Sequence, residues 1–171
     1  MGNQAGGAAV MDLNVYETDV IANVDRFGCH ITSVFDPDHG LPDFSYSTGF
    51  PKSLDQPEVI IFGLQRKLMA SMINEIYRQC AEDGLELADG LVVSDLLLGH
   101  DCIAREVSAD ALADEFFTTA TWYSHRILGR ELRRGFQIFW PGAESGLYPW
   151  DEGAHPDICE SQPSLYEWEK A

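Results

Sequence analysis

No Cys-x-x-Cys pair occurs in this chain; its four cysteines, Cys29, Cys80, Cys102 and Cys159, are widely scattered. The pattern predicts reduced thiols rather than a disulfide framework. No His-Glu-x-x-His appears, and His100-Asp101-Cys102 and Cys29-His30 are each too short to define a zinc site, so no metal is expected. The absence of a Gly-x-Gly-x-x-Gly turn and of a Walker A loop weighs against a nucleotide-binding parallel sheet. Apolar runs are short: Val59 to Phe62 and Leu96 to Leu98 are strand-sized, far below the roughly eighteen residues of a membrane span. The opening MGNQAGGAAVMDLN lacks the basic-then-apolar order of a secretory signal and the Ser or Thr of a myristoylation motif. A flexible tail over residues 1–15 and a cytoplasmic location are therefore expected.

Positive charge is scarce as well. Eleven Lys and Arg stand against 28 Asp and Glu, a formal charge of −17. Nucleic-acid affinity is built from clustered cations, so this balance excludes a phosphate-backbone partner and disfavours an anionic membrane surface. It leaves a small-molecule ligand or a basic protein partner. With 45% hydrophobic and 23% charged residues, the 171-residue chain otherwise has the composition of an ordinary globular protein. One domain over residues 16–165 is expected, with a C-terminal tail over 166–171.

The pattern of apolar residues sets the elements. Thr18 can cap a short helix ending at Phe27, with Gly28 as its stop. Cys29 to Phe35 alternates as a half-buried strand, Asp36 to Gly40 is turn chemistry, and Phe44 to Thr48 returns as an antiparallel partner. A Gly49-to-Pro57 loop leads to the third strand, Val59 to Phe62. Leu68, Met69, Met72, Ile73, Ile76, Tyr77 and Cys80 recur at helical spacing within Gln65 to Asp83, closed by Gly84. Strands follow at Leu91 to Val93 and Cys102 to Val107. Ser108 then caps a second long helix whose stripe is Leu112, Phe116, Tyr123 and Ile127. Gly135 to Trp140 is the last strong strand, with a hairpin partner at Leu147 and Tyr148. The sum is an α+β domain on a mostly antiparallel sheet, open or strongly curled, with two long helices and one short N-terminal helix.

Four groups of residues could carry chemistry. The loop offers Tyr46, Ser47, Gly49 and Glu58, hydroxyls and a carboxylate beside a glycine that lets a ligand approach the backbone. On the second long helix Trp122, His125 and Arg126 share a face suited to stacking or proton transfer. Arg126, Arg130, Arg133 and Arg134 gather four of the eleven cations at the end of that helix, where they either complement the helix dipole or dock a carboxylate or phosphate. Trp140 and Trp150 bracket the last turn, where they serve packing or frame a pocket mouth facing the Tyr46-to-Glu58 loop.

Taken together, Phe44-x-Tyr46-Ser47-x-Gly49-Phe50, Pro57-Glu58, Phe62-Gly63-Leu64, Gln137, Trp140-Pro141, Gly146, Pro149-Trp150-Asp151 and Gln162-Pro163 resemble the motifs of a bacterial family, domain of unknown function 4262. The likeness spans roughly residues 16 to 165 and implies no activity, since the family has none to lend. Gln56 stands where its pattern has His, Gly142 where it has Asp, and Cys29 where it tends to have Trp. An inherited catalytic role is weakened by the first two.

Three functions stay open on the sequence. The first is binding of a small anionic or aromatic ligand or of a partner protein, without catalysis. The second is a hydrolase or transferase using Tyr46, Glu58, His125 and the arginines in a pocket between the Tyr46-to-Glu58 loop and the Trp140-to-Trp150 hairpin. The third is an acidic inhibitor or immunity-type protein. No cofactor can be read.

Overall fold

A computed structural model describes residues 12–35, 38 and 40–169. Most of the tail expected over 1–15, part of the turn expected at 36–40, and residues 170 and 171 lie outside it. The domain is α+β, with six strands and, among the described residues, six α-helices. In chain order these are α1 Val15–Phe27, β1 His30–Val34, β2 Phe44–Thr48, α2 Phe50–Leu54, β3 Glu58–Phe62, α3 Arg66–Glu82, β4 Val92–Leu97, β5 His100–Glu106, α4 Ala109–Ala113, α5 Thr118–Arg126, β6 Gly135–Phe139 and α6 Pro156–Ser161. No described helix is long and apolar enough to cross a membrane.

The strands form one mixed sheet in the order β1-β2-β3-β6-β5-β4. Four pairings are antiparallel, and the central β3–β6 pair is parallel, Glu58 opposite Gly135 and Ile60 opposite Gln137. The strong curl entertained from sequence is absent: the sheet is open, with β1 and β4 as its edges. The two central strands are buried at every position, as a strand covered on both faces must be. On one face α3 lays Met69, Met72, Ile73 and Ile76 against Val59, Ile61, Phe136 and Ile138. On the other, Phe44, Tyr46, Ile60 and Phe62 meet Phe116, Phe117 and Ala120. Each fully buried side chain of this size contributes about 1.5–3 kcal/mol by leaving water.

The second long helix expected after Ser108 is broken into three pieces. Ser108 does cap α4, accepting from the Ala111 N–H at 3.0 Å. Asp114 then adopts an extended conformation, and its carboxylate accepts from the Glu115 N–H at 2.9 Å, opening a 3-10 turn at Glu115–Phe117 before α5. The break costs little, because the Thr-rich start of α5 has weak helix propensity. It also lets consecutive Phe116 and Phe117 both face the sheet. Helix α1 starts earlier than expected, capped by Asn14 rather than Thr18 in a capping box with Glu17. The Gly49-to-Pro57 loop contains α2, and residues 147 and 148 form no strand.

Candidate functional site

Glu58 occupies the first position of β3 and is 1% exposed. Its carboxylate accepts from Ser47 Oγ at 2.7 Å and from the backbone N–H groups of Gly49 at 2.8 Å and Phe50 at 3.2 Å. No side chain of α2 caps that helix, so Glu58 serves its first turn from across the chain. Ser47 Oγ in turn accepts from the Val59 N–H at 2.9 Å. Burial pushes the Glu58 carboxyl up to about 7, against the opposing pull of its three donors. Gly49 makes the arrangement possible: at φ 111° it turns the chain, and a Cβ there would lie 2.9 Å from Val24 Cγ1 and 3.0 Å from the Gly28 carbonyl. Cys29, beside this carboxyl, is pushed up to about 12, chiefly by burial, and is a packing thiol.

Tyr46 is equally internal. Its hydroxyl accepts from the Thr119 N–H at 2.9 Å, tying β2 to the start of α5, and burial raises its pKa. Tyr46, Ser47, Gly49 and Glu58 thus form the support of a loop rather than an open surface. Trp122 packs half-buried against Val20, Val24 and Tyr123, between α1 and α5. Trp140 is buried and donates its indole N–H to the Phe62 carbonyl at 2.8 Å. Trp150 stacks on Tyr148, ring centroids 5.4 Å apart, with the Arg105 guanidinium 5.2 Å from its ring.

The pocket expected between the Tyr46-to-Glu58 loop and the Trp140-to-Trp150 segment does not form. Because β3 and β6 run parallel, the loop enters at one end of the pair and Trp140 leaves at the other. Five strand residues, about 16 Å, separate them. The loop instead meets the arginine-rich segment that leads into β6.

There, Pro51, Asp55, Gln56 and Ser124 line a cleft of about 440 Å³ with Arg130 and Arg133. Glu131, Leu132 and Arg133 also line a neighbouring depression that includes His125. The segment is anchored to the end of α5: the Arg130 N–H donates to the Ser124 carbonyl at 3.1 Å, and Ser124 Oγ donates to the Arg130 carbonyl at 2.8 Å. Arg134 is committed to Glu106 at 2.8 Å. Arg130 and Arg133 have no ion pair among the described residues. Gln56, which lines the cleft, accepts from the Leu87 N–H through its side-chain carbonyl at 2.9 Å. His125 and Arg126 are exposed on α5, so the structure joins Arg130 to the loop, sets His125 next door, and leaves the other sequence candidates apart. Among the described residues no three His, Cys, Asp or Glu side chains converge to hold a metal.

A family model described as Domain of unknown function (DUF4262) matches residues 23–155. The chain belongs to this family. No curated protein and no solved structure matches it. The geometry explains why the signature of the domain of unknown function 4262 reads as it does in this member. Gln137 donates to the Pro163 carbonyl at 2.7 Å and accepts from the Leu165 N–H at 2.9 Å. Gln162 accepts from the Trp140 N–H and donates to the Trp140 carbonyl, both at 2.9 Å. With Glu58 and Trp140, these motif residues hold the fold closed by buried hydrogen bonds. Gln56 lines the arginine cleft whereas Gly142 follows β6 at the far end, so the two departures from the family pattern fall in different places.

Proposed function

We propose that this domain is a binding module for a small ligand bearing one carboxylate or phosphate, held in the cleft between residues 51–57 and 130–134. The observation that carries the reading is the pair of guanidiniums at Arg130 and Arg133, without an ion pair among the described residues, on a chain where acids outnumber bases 28 to 11. Arginine presents a planar fork of donors that matches such an anion. The backbone beneath Arg130 is already fixed at both its N–H and its carbonyl, so binding orders only side chains. Asp55 and Glu131 share the cleft and offer acceptors to a hydroxyl or amino group of the ligand. Four unpaired thiols suit a reducing compartment, consistent with a cytoplasmic protein.

The test is a titration of isotope-labelled protein with inorganic phosphate and with lactate. Saturable shifts at residues 130–134 are expected, weakened about tenfold or more in Arg130→Ala and Arg133→Ala, the loss of one charge-assisted bond. Unmoved resonances at these residues with both probes would remove the proposal. The catalytic alternative is less well supported, because Tyr46 and Glu58 are internal while His125 lies outside on α5.

A further inference from the structure

A second cavity, of about 370 Å³, opens where the start of β2 faces the break between α4 and α5. Its walls include Leu41, Phe44, Phe116 and Trp168, and Asp114 and Glu115 stand at its side. Phe44 and Phe116 lie 6.1 Å apart at 64°, and Phe116 and Trp168 lie 5.0 Å apart at 89°. The rings are therefore panels set at steep angles rather than a stack. The Trp168 panel is locked: its indole N–H donates to Asp114 Oδ2 at 3.2 Å, and its carbonyl accepts from Ser108 Oγ at 2.7 Å.

Charge decides what such a box can take. Among the described residues no Lys or Arg lines it. Among the described residues Asp114 accepts only from neutral donors, the Glu115 N–H and the Trp168 indole, so no cation offsets it. Glu115 is exposed and adds a second. Aromatic faces carry negative quadrupole potential that favours cations with diffuse, weakly hydrated charge. Apolar walls disfavour an inorganic ion, which would lose its water without replacement ligands.

We propose that this cavity binds an organic ammonium ion, with its alkylated nitrogen against Trp168 and Phe116 and its charge facing Asp114 and Glu115. This ligand class is distinct from the anion assigned to the arginine cleft, which lies apart from it and shares none of its lining residues. The two readings therefore fail separately.

The experiment titrates the full chain with choline and with its uncharged isostere, 3,3-dimethylbutan-1-ol, while following the Trp168 indole N–H by NMR, assigned with Trp168→Phe. Choline is expected to shift this resonance and to bind about tenfold more tightly than the neutral isostere. The preference is expected to disappear in Asp114→Asn/Glu115→Gln, a pair that keeps the cap because Asn Oδ1 also accepts from the Glu115 N–H, although its NH2 gives up the bond from the Trp168 indole. Glu115→Gln alone, at an exposed site, is expected to halve the preference or more, which keeps the test available if the double variant folds poorly. Equal affinity for the two probes, an unmoved Trp168 resonance, or a preference that survives these changes would overturn the assignment.

Discussion

Replacing Glu58 by Gln is expected to flatten one component of the pH dependence of stability. In the unfolded chain this carboxyl titrates near 4.5, whereas in the fold burial holds it to about 7. Between those values the folded state keeps a proton that the unfolded state has released, so stability falls as pH rises. The contribution is complete below 4.5 and is lost as pH passes through about 7. The interval corresponds to about 3 kcal/mol, at 1.36 kcal/mol per pH unit. For a domain of this length that is a relative change in melting temperature of about 6–12 °C. Melting curves of the natural protein and of Glu58→Gln at several values from pH 5 to 8.5 provide the assay. The variant has its own cost, about 1–3 kcal/mol, because its NH2 faces the Gly49 N–H where an acceptor stood. That cost is independent of pH, so it offsets the difference curve by a constant and leaves its slope to Glu58. Surface carboxylates and His30 are shared by both proteins and cancel. A difference curve flat from pH 5 to 8.5 would refute the reasoning, and would mean that the donors from Ser47, Gly49 and Phe50 outweigh burial.

Other substitutions test the packing. Trp140→Phe keeps the ring but strands the buried Phe62 carbonyl, and a loss of about 1–3 kcal/mol is expected in the urea midpoint. Gly49→Ala is expected to cost about 1–3 kcal/mol, measured the same way, because φ 111° and the contact with Val24 both oppose a side chain. Gln162→Ala removes both bonds to the Trp140 backbone, and limited proteolysis is expected to cut first between residues 160 and 168. Arg134→Ala breaks a half-exposed pair with Glu106 and a contact over the Phe136 ring 5.4 Å away, so a change of about 1 kcal/mol is expected by thermal melting.

Much of the fold was legible locally. Alternation marked β1 and β2, and the recurrence of Met69, Met72, Ile73 and Ile76 marked α3. Asp114 was not readable as a breaker, since a polar residue off the apolar stripe looks like a solvated helix position until its side chain is seen capping Glu115. The five residues of α2 are too few for a period, although Pro51 in the first turn was a start signal. The arginine cluster stood out in sequence because cations are rare here. Its partner did not, since the meeting of residues 51–57 with 130–134 depends on β3 pairing parallel to β6, a long-range choice. The polar motif residues misled in the same way. Glu58, Gln137 and Gln162 resemble surface groups by type, yet each is 1% exposed and spends its hydrogen bonds inside.

The glutamine clasp reaches past the limit of the family match. The family model's match stops at residue 155, but Gln162, Pro163 and Leu165 complete the bonds that β6 offers to its neighbours, and Leu165 is wholly buried. A fragment trimmed to the recognisable region would leave the backbone of Trp140 and the amide of Gln137 bare and open a trench over the second face of the sheet. The folding unit is longer than the matched stretch, and any shortened version prepared for crystals or screening has to run on to Trp168.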